Sequence, residues 1–242
     1  ESVYHAPYLA HAAMEPPNCT ARVAGGRVEL WASTQVPSFA RAIAARVAEV
    51  PQDHVDLHVT YLGGGFGRRL ETDVVAQAVR VALETGGRPV QLVWPREEDL
   101  THDFYRPACV SRWEAALDAQ GQLTGVRNVS AGQAIVPQMV SRLFGVYGGP
   151  LDKTTSEGAF DQPYEWPTAR IAHANVDLPV PVGFWRSVGH SHNAFFSEGF
   201  TDELAIALNQ DPLALRRQLL SQAPRHLAVL NLAAEKAGWG RP

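Results

Sequence analysis

The sequence predicts an α+β fold, with mixed sheets and packed helices. Three observations lead there. The chain of 242 residues is 45% hydrophobic and 19% charged, enough apolar content for a real core and too little charge for disorder. Two segments read as hairpins rather than as strands joined by helices. Helical and strand periods then mix along the chain without a strict βαβ rhythm.

Taken in order, Ser2 to Tyr8 reads as a strand. Val23 to Ser33 is a hairpin turning at Gly25-Gly26. Pro37 to Glu49 is helical, with Phe39, Ile43 and Val47 on one face at i, i+4 spacing. Pro51-Gln52-Asp53-His54 is a turn into a strand from Val55 to Leu62. A helix from Thr72 to Thr85 is capped by Thr72 and stopped by Gly86-Gly87. Pro89 to Trp94 is a short buried strand, and Arg96 to Asp103 a charged helical turn. Cys109 to Leu117 and Leu123 to Ala131 pair about Asp118-Ala119-Gln120-Gly121. Ala134 to Pro167 is irregular, and a run of that length is usually functional or packed on a partner.

A strand from Ala169 to Leu178 follows, then a loop from Pro179 to Gly189. The helix from His190 to Asn209 buries Phe195, Phe196, Gly199, Phe200, Leu204 and Leu208. Asp211 caps the next helix, with Pro212 in its first turn. The last helix runs from about Arg225 to Ala237 and ends at Gly238. A boundary near residue 133 divides a strand–helix unit (1–133) from an irregular and helical unit (134–242).

Composition excludes several classes. A net charge of -4, with basic pairs only at Arg68-Arg69 and Arg216-Arg217, argues against a nucleic-acid binder. No stretch approaches the roughly 20 apolar residues of a membrane helix. Two cysteines, Cys19 and Cys109, make no disulfide framework and are expected as buried thiols. The start at Glu1, inside a strand, and the stop at Trp239-Gly240-Arg241-Pro242 suggest a piece of a longer protein.

Three segments between regular elements carry candidate chemistry. The first is Gly63-Gly64-Gly65-Phe66-Gly67-Arg68-Arg69, where absent Cβ atoms let backbone approach a ligand and the next helix's amides can face anionic oxygens. It lacks both the Gly-Lys-Ser/Thr of a P-loop and the spacing of a dinucleotide fold; an ordinary strand-to-helix turn is the alternative. The second is Ser33-Thr34-Gln35, where Gln35 either donates to an oxo group or caps a helix. The third is Phe184 to His190, where Arg186 either pairs a phosphate or carboxylate or bonds loop carbonyls. His190 and His192 have no third partner for a metal. Asp202 and Glu203 read as solvated or capping charges, and Met14-Glu15-Pro16 as a loop with a buried carboxylate or a plain turn. No nucleophile–base pattern emerges.

These segments, in this order, resemble the molybdenum-binding subunit of the xanthine oxidase and aldehyde oxidase family. Gly87-Arg88-Pro89-Val90, Arg96 to Asp99, and Glu198 and Asp202 after Phe184 to Gly189 complete the set. Pro7 to Pro16, Gly63 to Asp73 and Ser191 to Glu198 are most similar to the isoquinoline 1-oxidoreductase β-subunit branch, with nicotinate and aldehyde dehydrogenases close to it. The resemblance implies a molybdopterin cytosine dinucleotide, its metal held by the cofactor's dithiolene and not by protein side chains. It implies iron–sulfur clusters on a partner, a small 2Fe–2S subunit passing electrons onward to a cytochrome c. It implies hydroxylation of an N-heterocycle or oxidation of an aldehyde, with water as oxygen source, and export to the periplasm.

Carried over by position, Gln35 would bond an oxygen ligand of molybdenum. Gly64, Gly65, Phe66, Gly67, Arg68, Trp185, Arg186 and Ser187 would line the cofactor. Leu70, Arg142 and Val188 would face the substrate. Leu70 stands where purine-specific members carry a glutamate, Val188 replaces an aromatic, and Tyr147 to Gly158 reads as an insertion. The family's catalytic glutamate and later pterin-holding segment are not in these residues, so the 242 residues alone are expected to be inactive. The alternative is a non-catalytic scaffold or anion-binding module that retains the fold.

Overall fold

A computed structural model of the chain describes residues 1–149 and 152–240. Pro150 and Leu151 of the expected insertion, and Arg241 and Pro242, lie outside the described residues. The elements run β1 (Ser2–Ala6), β2 (Asn18–Ala24), β3 (Arg27–Ala32), α1 (Pro37–Ala48), β4 (Val55–Val59), α2 (Asp73–Leu83) and β5 (Val90–Val93). Then come α3 (Arg96–Thr101), β6 (Cys109–Leu117), β7 (Leu123–Gly132), α4 (Val136–Phe144), β8 (Ala169–Asn175), α5 (Gly189–Ala207), α6 (Pro212–Leu219) and α7 (Pro224–Ala237). The α+β expectation holds: two mixed four-stranded sheets, ordered β4-β3-β2-β5 and β1-β6-β7-β8, carry the helices.

The first sheet is built around the β2–β3 hairpin, which turns at Gly25-Gly26. Chain reversal through α1 lays β4 parallel to β3, as parallel pairs need a crossover. Its core is aliphatic and small: Ala40 and Ala44 of α1, Val75, Ala78, Val79 and Ala82 of α2, against Ala21, Val28, Leu30 and Val55. The buried stripe of α1 is therefore one residue round from Phe39, Ile43 and Val47, because alanines let the helix lie closer to the sheet. Phe39 is left 38% exposed and packs edge-on against Phe144 of α4, at 5.9 Å. β4 stops three residues short of the expected end, and Tyr61 stands wholly in solvent. Thr72 occupies the cap position of α2 but makes no capping bond, since its side chain is buried. β5 is an edge strand, alternately half-buried and exposed, so only Trp94 of that segment is buried.

The second sheet is aromatic beneath. The β6–β7 hairpin forms as expected, and the Asp118 carboxylate accepts from the amides of Gln120 and Gln122 at 2.9 and 2.8 Å. β8 runs parallel to β7 and ends at Asn175. α5 covers this sheet with Phe196, Phe200, Leu204 and Ala205, against a fully buried Trp113 that sits 5.5 Å from Phe200. Phe195 stays at the rim: it is 60% exposed and touches the rings of Tyr4 and Phe196. Asp211 caps α6 by accepting from Ala214 at 2.9 Å, and α7 ends on left-handed Gly238.

The expected irregular stretch contains α4. Pro137 reads as a breaker, but it falls in the first helical turn, where no amide donor is needed. The second sheet draws β1, β6 and β7 from before residue 133 and β8 from after it. Both cysteines are free and buried, Cys19 in the first core and Cys109 in the second. Among the described residues no helix is long and apolar enough to cross a membrane.

Candidate functional site

The loop after β4 and the segment after β3 close on each other through Gln35. Its backbone amide donates to the Arg69 carbonyl at 3.1 Å. Its side-chain Oε1 accepts from the amides of Gly67 at 3.1 Å and Arg69 at 3.3 Å. An amide side chain held by its oxygen must present its NH2 elsewhere, and Gln35 is exposed. It caps no helix: the α1 cap position is Val36, which has no side-chain cap. Gly65 permits this closeness, since a Cβ there would lie 2.6 Å from Gln35 Oε1.

Two of the loop's amides, those of Gly67 and Arg69, are thus spent on Gln35, and that of Gly63 on Glu15. α2 begins only at Asp73, after a short 3-10 turn over Arg68–Leu70, so its N-terminus is not at the glycines. Arg68 and Arg69 both turn inward. Arg68 grips Asp73 through two bonds of 3.0 and 2.7 Å, lies 3.1 Å from Asp103, and stacks over Trp94 and Phe104. The Arg68 side chain, expected to line a cofactor, is engaged by two carboxylates and two aromatic faces. Arg69 donates to the Glu15 and Pro16 carbonyls at 2.9 and 3.0 Å. Glu15 in turn accepts from the Gly63 amide at 2.8 Å and from Asn18 at 2.8 Å. Burial pushes its carboxyl pKa up, but these bonds and Arg69 more than offset that, and the net shift is downward. Met14-Glu15-Pro16 is a loop whose carboxylate is half-buried and fully engaged, between the two readings.

Opposite stands the loop before α5. Trp185 donates from its ring to the Ala10 carbonyl at 3.3 Å and lies under Arg106, 5.6 Å from the guanidinium. Ser187 and Val188 have φ of 66° and 48°. With Phe66 (φ 53°) and Ala12 (φ 46°) they are four of the six non-glycine residues with left-handed backbone among the described residues. Such strain persists only where the surroundings impose it, and it gathers at functional loops. The two loops touch at Gly67, whose φ is 106° and whose Cβ, if it had one, would lie 1.7 Å from the Phe184 carbonyl oxygen. Arg186 and Ser187 are exposed at this seam, and the Arg186 guanidinium has no hydrogen-bond or ion-pair partner among the described residues.

The sequence missed two residues that hold this seam. His11 bonds Phe184 O through Nε2 at 2.8 Å and Asp103 through Nδ1 at 3.0 Å. His11 stood only within the Pro7–Pro16 motif, and Asp103 only as the end of a helical turn; they are 92 residues apart.

The residues expected to face a substrate are Leu70, Arg142 and Val188. Arg142 is bound to Glu71 at 2.5 Å and to the Val182 carbonyl at 3.0 Å, with its guanidinium 4.1 Å over the Phe104 ring. It fastens α4 to the glycine-loop segment instead of facing a ligand. Leu70 and Val188 are half-buried. His190 lies 3.5 Å from Asp161, while His192 is buried with Nε2 donating to the Thr155 carbonyl at 3.1 Å. Asp202 and Glu203 are engaged, not merely solvated: Asp202 pairs Arg216 at 2.5 Å, and Glu203 accepts from Tyr4 at 2.8 Å.

Glycines at close approach, a Gln35 amide held by its oxygen and an unpaired Arg186 come together here, and among the described residues no group of His, Cys, Asp and Glu could hold a metal ion. Residues 1–220 match the molybdopterin cofactor-binding domain family, and the chain belongs to it. It is similar to isoquinoline 1-oxidoreductase subunit beta of Brevundimonas diminuta, 30% identical over 240 residues, covering 99% of this chain and 30% of that protein. It is similar also to a membrane-bound aldehyde dehydrogenase (pyrroloquinoline-quinone) of Gluconacetobacter polyoxogenes, 32% identical, covering 96% of this chain and 32% of the relative. Among solved structures, quinoline 2-oxidoreductase from Pseudomonas putida 86 superposes with a TM-score of 0.74 at 21% identity, over 98% of this chain and 32% of that one. The fold is thus of the xanthine oxidase type, and the chain spans about a third of the length of these relatives.

The residues present fit a molybdopterin. Gln35 is held by its oxygen with its NH2 free, a Cβ at Gly65 would collide with Gln35 and one at Gly67 with the Phe184 carbonyl, and Arg186 has no partner among the described residues.

Proposed function

We propose that this chain forms the cofactor-orienting part of a molybdenum hydroxylase-type oxidoreductase acting on an N-heterocycle or an aldehyde. The cofactor, in its cytosine dinucleotide form, supplies the redox chemistry and draws the incoming oxygen from water. Electrons leave through iron–sulfur clusters on a small partner subunit toward a cytochrome c, in the periplasm. The names of the relatives support the substrate classes, and Leu70 in place of an acid speaks against purines.

The chain's own residues bind and orient. Gln35, locked by its oxygen, would turn its NH2 donor toward the cofactor. Gly67 and Phe66 bring main chain to the same point, while Arg186 with Trp185 and Ser187 closes the other side. One observation carries this: the two bonds that fix Gln35 Oε1. The same bonds weigh against the anion-binding alternative only in part, because they take two of the loop's amides.

The test is metal and nucleotide content of the protein, made as part of its full subunit in a host that assembles the cofactor. Molybdenum near one per subunit with CMP released by acid supports the proposal. Gln35→Ala is then expected to keep the metal yet lower turnover by about 10²-fold, the usual cost of one well-aimed donor. Protein free of both metal and nucleotide would sink it.

A further inference from the structure

His11 lies beneath the seam between the two loops, its side chain 1% exposed. Nδ1 is 3.0 Å from both oxygens of Asp103, and Nε2 is 2.8 Å from the Phe184 carbonyl oxygen. Neither partner has a proton to give. A carbonyl only accepts. Asp103 already accepts from the amides of His11 at 2.6 Å and Phe104 at 2.8 Å, and Arg68 Nε is 3.1 Å away. Burial pushes the Asp103 carboxyl up, yet His11 and Arg68 more than offset it, and it sits below the ordinary carboxylate range. A neutral imidazole carries one N–H and one lone pair. In either tautomer a lone pair would face an oxygen at bonding distance, buried where such a clash is expensive.

We propose that His11 carries a proton on both ring nitrogens and serves as a positioning residue, a buried imidazolium that pins the Phe184 carbonyl against Gly67. The surrounding charges allow it. Asp103 faces the ring from the segment after α3. Arg68 approaches from the turn after the glycine loop and is itself neutralised by Asp73 of α2, while Asp99 of α3 is taken by Arg96 at 2.5 Å. The cluster therefore closes without an unpaired charge. Gly67 is where the pin acts, for a Cβ there would meet Phe184 O at 1.7 Å and His11 Nε2 at 3.3 Å. Fixing that carbonyl holds the left-handed pair Ser187-Val188, and so the direction of Arg186. This goes beyond the cofactor assignment and does not depend on it.

The experiment is 15N-histidine NMR of the protein near neutral pH, with the His11 signals assigned by their loss in His11→Asn. Two N–H signals from His11 are expected, and only one in Asp103→Asn, which keeps the shape and removes the charge. Amide exchange over residues 184–188 is expected to quicken about tenfold in both variants, with β6–β7 unchanged. A wild-type ring bearing a single proton overturns the proposal, as does unaltered exchange at 184–188 in Asp103→Asn. If His11→Asn fails to fold, the wild-type signals and Asp103→Asn still decide. Ring protonation and exchange are read without metal or turnover, so they stand apart from failure of the cofactor assignment.

Discussion

The seam under Gly67 and the core under α5 are held in opposite ways. At the seam each group has specific polar partners: Phe184 O and Asp103 for His11, Asp73 and Asp103 for Arg68, the Gly67 and Arg69 amides for Gln35. Under α5 the contacts are area, Phe196 and Phe200 against Trp113. Apolar area tolerates small shifts, whereas a buried carbonyl or charge loses its full desolvation cost when its partner moves. The difference teaches where this molecule is precise and where it is only well filled.

Three substitutions test that contrast, in falling order of effect. Gly67→Ala is expected to cost more than about 4 kcal/mol, because a Cβ against a main-chain oxygen cannot be relieved by a side-chain move. Urea unfolding checks it, and a loss below about 1 kcal/mol would mean the seam is soft. Phe196→Ala should cost about 3–5 kcal/mol by the same measurement, the range for an emptied aromatic site. Its folded fraction should still take up the cofactor, which Gly67→Ala should not. If Phe196→Ala loses metal as completely, the two regions are not separable.

His192 sits at the border, in the first turn of α5 and 5.8 Å from Phe196. Burial pushes its pKa down to about 4 from an ordinary 6.5. The unfolded chain therefore takes up its proton first as pH falls. This contribution is whole above pH 6.5 and declines toward pH 4, by up to about 3 kcal/mol. Unfolding followed across that window should show the slope in the wild type and lose it in His192→Gln. An equal slope in both assigns the effect to other groups.

What could be read in advance follows the same line. Local rules were legible: the Asp118 turn, the Asp211 cap and the Gly238 stop all depend on neighbours within a few residues. The area under α5 was nearly so, with Phe196, Phe200 and Leu204 right and Phe195 wrong, since a period cannot say how wide the buried stripe is. On α1 small alanines take the fully buried positions, and Ile43 and Val47 pack at the edge of the same core. Pro137 concealed α4. At the seam the two loops could be picked out by their glycines and polar groups, and Gln35 with them. The partners could not: His11 and Asp103 meet across 92 positions, and Arg68 and Arg142 looked free until the fold supplied their carboxylates.

Cys19 and Cys109 stand one in each sheet, and burial pushes both thiols up to about 12. Near neutrality neither is a nucleophile while its sheet is shut. An alkylating reagent therefore reads opening, not surface, and it reads it twice: the peptide bearing Cys19 clocks the aliphatic half and the one bearing Cys109 the aromatic half. The molecule thus carries two internal timers, and the ratio of their rates says whether its halves come apart together or in turn.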